Sequence, residues 1–134
     1  GAIAANAVAG AKNHGVYSYM KHFALNDQEG NRNSMLCTWS NEQAIREIYL
    51  KPFEMCVKDA GCEAAMSSFN YIGNRWAGGC SQLLNNVLRD EWGFDGFVVS
   101  DWGAPTSILR ASGPVPTWKC PPPEGTPTWN WSRR

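Results

Sequence analysis

Three times in its first hundred residues this chain runs from a helical pattern into a short apolar stretch that ends on polar side chains. Residues 2–10 read as the end of an Ala-rich helix and 16–23 as a strand; 42–60 read as a long helix and 64–70 as a strand; 81–92 read as a helix and 97–100 as a strand. In the third unit Leu83, Leu84, Val87 and Leu88 fall at helical spacing and Gly93 stops the helix. Phe97, Val98 and Val99 then form an uncharged β-branched and aromatic run, the pattern of a strand covered on both faces in a parallel sheet. Alternation of this kind predicts an α/β fold with about three helix–strand units.

Each strand ends in a polar cluster: Lys21 and His22, Ser68 and Asn70, Ser100 and Asp101. Parallel α/β sheets bind their ligands outside the carboxyl ends of their strands, so these three clusters could line one working face. Asp101 matters most, because it follows a buried strand directly. By position alone it could equally cap the loop that follows. Twelve basic and twelve acidic residues cancel, which removes any electrostatic case for nucleic acid or an anionic membrane surface. No apolar run approaches the roughly 20 residues that a membrane span requires.

The stretch 87–104, Val-Leu-Arg-Asp-Glu-Trp-Gly-Phe-Asp-Gly-Phe-Val-Val-Ser-Asp-Trp-Gly-Ala, resembles the nucleophile signature of glycoside hydrolase family 3, the β-glucosidase family. Upstream, Met20-Lys21-His22-Phe23-Ala24-Leu25-Asn26-Asp27-Gln28-Glu29, followed by Asn31-Arg32, resembles that family's sugar-binding Lys-His turn and the polar loop after it. Met66-Ser67-Ser68-Phe69-Asn70 resembles the strand end that precedes the nucleophile. The three blocks stand in family order and cover residues 1 to about 105.

What the resemblance implies is a (β/α)8 TIM barrel, which needs roughly 250 residues. A chain of 134 residues cannot close one. Residues 1–105 are therefore expected to be an internal fragment, a partial barrel wall, and the uncapped Ala-rich start fits that reading. The resemblance further implies a retaining hydrolase that removes non-reducing terminal β-glucosyl residues from a β-glucoside or oligosaccharide. Asp101 would be the nucleophile and form a covalent glycosyl-enzyme. Lys21 and His22 would donate hydrogen bonds to the sugar's hydroxyls, Trp102 would form an apolar wall, and Met66 would pack nearby. Phe69 stands where the family has Tyr, so one hydroxyl near the nucleophile is missing.

A retaining mechanism also needs a second carboxyl about 5–5.5 Å from the first. The family takes it from a later domain that this chain does not contain. Glu29 lies on the right face but is a weak substitute; Asp90 and Glu91 precede the strand and read as a solvated helix end. Arg32 and Asn26 are expected to brace their loop, and His14 to sit in a surface turn before Gly15. The same family includes β-xylosidases and β-N-acetylglucosaminidases; Ser100-Asp101-Trp102 and Asn26-Asp27-Gln28-Glu29 resemble the glucosidase branch more than the hexosaminidase branch. An inert fragment that binds sugar weakly is the alternative outside catalysis.

Cys37, Cys56, Cys62, Cys80 and Cys120 show no paired spacing, and their odd number argues against a complete disulfide framework. No zinc motif is present, and neither metal nor cofactor is expected. Of the seven Trp and four Tyr, most are expected to fill the core, although sugars do stack on such rings. Residues 106–134 mix Pro114, Pro116, Pro121, Pro122, Pro123 and Pro127 with Trp118, Trp129 and Trp131 and show no period. Disordered linkers are rarely so rich in Trp. Read from the third base of each codon, Thr117-Trp118-Lys119-Cys120 permits Leu-Glu-Met, and residues 108–117 permit Pro-Ala-Ser-Val-Arg-Ala-Gly-Pro-Asp. Together they approach the family phrase AGLDLEMP. The expectation is a frameshift after Ala104 or Pro105, with an irregular, out-of-frame tail.

Overall fold

A computed structural model describes residues 1–102; the tail 106–134 and its expected irregularity lie outside the described residues. The chain opens with α1 (Ala2–Asn13), which leads into β1 (Tyr19–Phe23). A second helical passage begins at α2 (Glu42–Ala44), where the Asn41 side chain accepts a 2.8 Å hydrogen bond from the Ala44 amide. It continues through a π-helical stretch, Ile45–Leu50, into α3 (Lys51–Lys58). The expected single helix over 42–60 is thus one passage with a change of register. Pro52 explains the change: it has no N–H to donate, and it falls in the first turn of α3, where none is needed.

β3 (Ala64–Ser67) follows, then the π-helix Gln82–Glu91 and finally β6 (Phe97–Val99). These strands form one parallel sheet in the order β1-β3-β6. Ala64, Ala65 and Met66 pair with Phe97, Val98 and Val99, and Tyr19 and Met20 pair with Ala64 and Ala65. The alternation in the sequence therefore becomes an α/β fold, with strands shorter than their apolar runs.

The sequence did not announce a second sheet. β2 (Cys37–Thr38) pairs in parallel with β4 (Tyr71–Ile72), which forms a hairpin with β5 (Arg75–Trp76). Its strands have two residues each, too few to show a period. Gly73 makes the hairpin turn with φ of 59°, and the Trp39 ring lies against it.

Phe23, Ile45, Leu50, Leu83, Val87 and Leu88 are fully buried and fill the space between the helices and the parallel sheet. Phe23 packs edge-on against Phe53 at 5.2 Å and against Trp92 at 5.9 Å. All four helical-spacing residues Leu83, Leu84, Val87 and Leu88 face inward. Gly93 ends that helix with φ of 75°, its amide donating to the Arg89 carbonyl at 2.9 Å. Burial on both faces of the third strand does not hold. Phe97 is 52% exposed, and among the described residues β6 has a strand neighbour on one side, β3.

Gly96 sits where the chain turns into β6, tight against the Glu63 backbone. A methyl group there would collide with the Glu63 carbonyl, which accepts the Phe97 amide at 2.9 Å. Gly96→Ala is expected to push β6 off β3 and cost roughly 1–3 kcal/mol. Urea unfolding measures this, and an unchanged midpoint would mean that the two segments yield without loss.

Candidate functional site

β1, β3 and β6 run in one direction, so their carboxyl ends meet at one edge of the sheet. There His22, on β1, and Asp101, two residues beyond β6, come together across β3. His22 Nε2 is 3.3 Å from Asp101 Oδ2. The other carboxylate oxygen accepts the Trp102 amide at 2.8 Å. Asp101 is thereby held at both oxygens, with its side chain 11% exposed. Such a group is fixed in direction yet still reachable by a ligand.

Beneath this pair lies a set of buried hydrogen bonds. The Ser68 amide donates to the Phe23 carbonyl at 3.0 Å, and Ser68 Oγ donates to the Ala24 carbonyl at 3.0 Å. Asn70 Nδ2 donates to the same Ala24 carbonyl at 3.1 Å. Trp76 Nε1 in turn donates to the Ser68 carbonyl, and the Ala77 amide to the Asn70 carbonyl, each at 3.0 Å. The exit of β3 is thus stitched to the exit of β1. Both the Lys21–His22 and the Phe23–Ala24 peptide bonds are cis.

Not every expected site residue sits in that way. Ser68 and Asn70 are fully buried and face the backbone of residues 23–24, where the sequence suggested that they line an open face. Lys21 is exposed, and Met66 is half-buried on β3, opposite Val99 of β6. Trp102 is 88% exposed, so among the described residues it walls nothing. Glu29 is paired with Arg32, whose Nε lies 3.0 Å from Glu29 Oε2. The Arg32 guanidinium also lies over the Phe69 ring, 4.8 Å from its centre. That contact explains how Phe69 is held without a hydroxyl, and it ties the polar loop after β1 to the segment after β3.

Glu91 is not simply solvated. It takes a two-pronged ion pair from Arg46, at 2.7 and 3.0 Å, which joins the two helical passages. The carboxylates of Glu91 and Glu42 raise the Arg46 pKa well above its ordinary value. Cys37, Cys56, Cys62 and Cys80 are free thiols, and burial raises the pKa of Cys56 and Cys80. Among the described residues no cluster of His, Cys, Asp and Glu could hold a metal ion, and no helix is long and apolar enough to cross a membrane.

Residues 1–115 match the family model described as the glycosyl hydrolase family 3 N-terminal domain. A β-glucosidase of Rhizobium radiobacter is 46% identical over 93 residues, which are 69% of this chain and 11% of the relative. β-Glucosidase B of Emericella nidulans is 41% identical over 111 residues, 83% of this chain and 13% of the relative. Among solved structures, β-glucosidase 3B of Thermotoga neapolitana in complex with glucose superposes with a TM-score of 0.70 at 44% identity, covering 73% of this chain and 14% of that one. The chain thus spans about an eighth of the length of the proteins that it matches.

Proposed function

Because the chain belongs to glycosyl hydrolase family 3 and falls within its N-terminal domain, we propose that it is the nucleophile-bearing part of a retaining β-glucosidase. The observation that carries this reading is the meeting of His22 and Asp101 at 3.3 Å, at the carboxyl edge of a parallel sheet. Three helix–strand units with parallel strands are what a segment of a (β/α)8 barrel wall would contribute, and the rest of the barrel would come from the remainder of the whole protein.

Asp101, as carboxylate, attacks the anomeric carbon of a terminal β-glucosyl residue while the aglycone oxygen leaves with a proton. Water then hydrolyses the glycosyl-enzyme. With Oδ1 tied to the Trp102 amide, Oδ2 is the atom left to turn between His22 and the sugar. Lys21 and His22 donate to the sugar's hydroxyls as water leaves them. Trp102 and Met66 supply apolar surface once substrate and the remaining strands surround them. The general acid comes from a later domain of the whole protein, since Glu29 is already engaged by Arg32.

A mechanism-based fluoroglucoside tests the assignment in the whole protein. It should label Asp101, identified on its peptide by mass spectrometry, whereas the 134-residue chain alone should show no turnover of an aryl β-glucoside. Labelling of Glu29 in place of Asp101 would remove Asp101 from its role. Turnover by the chain that Asp101→Ala abolishes would show that no further domain is needed. The coding sequence across residues 100–134 decides whether 106–134 is out of frame.

A further inference from the structure

We propose that Ser68 and Asn70 are positioning residues for His22, acting through the backbone that follows it. The proposal rests on the reading of Asp101 as nucleophile. Two observations carry it. The carbonyls of Phe23 and Ala24, the next two residues after His22, accept three hydrogen bonds from Ser68 and Asn70, at 3.0, 3.0 and 3.1 Å. All three donors come from residues that are fully buried. With residues 23 and 24 fixed, the backbone from which the His22 side chain projects is held in place, with Nε2 3.3 Å from Asp101 Oδ2.

The second observation concerns what Asn70 gives up. Its Oδ1 is buried and has no hydrogen-bond partner among the described residues. A buried acceptor without a donor lowers stability, so an amide satisfied at one end only is a poor choice for a site whose sole task is packing. Asn70 serves one purpose well: it aims Nδ2 at the buried Ala24 carbonyl, 3.1 Å away. Ser68 does the same from the position just after β3 and is anchored in turn by Trp76 Nε1. The hairpin β4–β5, which is remote from the carboxylate in sequence, thereby reaches the site through Trp76, Ser68 and Ala24.

The experiment compares Ser68→Ala, Ser68→Thr, Asn70→Ala and Asn70→Asp in the whole protein, with active sites counted by fluoroglucoside labelling. Asn70→Asp keeps the volume but replaces the donor with an acceptor that faces the Ala24 carbonyl. Turnover per labelled site should fall roughly ten- to hundredfold in Ser68→Ala, Asn70→Ala and Asn70→Asp, the scale expected when a reacting group is misplaced by about 1 Å. Ser68→Thr, which keeps the hydroxyl, should recover most of it. If the variants lose labelled sites or melting temperature while each remaining site turns over at the wild-type rate, the two residues are structural only and the proposal fails. Should Asn70→Ala fail to fold, Ser68→Ala decides the matter, since it removes one bond of three. Wild-type protein that is not labelled at Asp101 overturns the reading of the nucleophile itself, an outcome distinct from normal labelling with unaltered variants.

Discussion

In the whole protein, Asp101→Asn should lower the rate of glycosyl-enzyme formation by on the order of four to six powers of ten, the scale seen when a nucleophile is removed from an intact site. The amide keeps the shape of the carboxylate and can still accept the Trp102 amide that now holds Oδ1 at 2.8 Å. It cannot act as an anionic nucleophile, so glucose should still bind while turnover collapses. Lys21→Ala, by contrast, removes the proposed donor to the sugar and leaves the proposed nucleophile in place. Its expected loss is about ten- to hundredfold, the worth of a charged hydrogen bond. The ordering is the test. Pre-steady-state kinetics on an aryl glucoside measures both, and a Lys21 variant as impaired as the Asp101 variant would contradict the division of roles.

Phe23→Ala should be the most destabilising single change in the described core. Phe23 is fully buried and packs edge-on against both Phe53 and Trp92. Emptying that site should cost roughly 3–5 kcal/mol, a large share of a typical domain's 5–15 kcal/mol. Urea unfolding of the chain reads the change as a drop in midpoint with little change in slope. A loss below about 1 kcal/mol would mean that α3 and the π-helix close over the gap. Because Phe23 also lends its carbonyl to Ser68, the same substitution should disturb the backbone beside His22.

The parts of the fold visible in the sequence are those with a long enough signal. Leu83, Leu84, Val87 and Leu88 repeat at helical spacing, and the structure buries all four. The parallel sheet follows from three apolar runs separated by helices, and its common edge follows from strand direction. Phe97 was misread because composition reports that a strand is apolar and says nothing of whether both its faces are covered. The hairpin β4–β5 was missed because strands of two residues carry no period. Ser68 and Asn70 were visible as polar residues at a strand end, yet only coordinates reveal that they turn inward to the Ala24 carbonyl. Arg32 was legible as a brace for its own loop, but its pairing with Glu29 and its stacking on Phe69 were not, because the loop has no helical spacing to bring those groups together.

The central place of β3 in the sheet has a consequence for the order in which the molecule forms. Among the described residues β1 and β6 do not pair with each other; each pairs with β3. The bonds that fix the backbone beside His22 join residues 44 and 46 positions apart. Long closures of this kind are slow, because the chain loses entropy before the contact repays it. During synthesis β1 emerges before β3, and β3 before Asp101, so these three meet in that order. The His22–Asp101 contact therefore depends on β1, β3 and β6 all being paired in register.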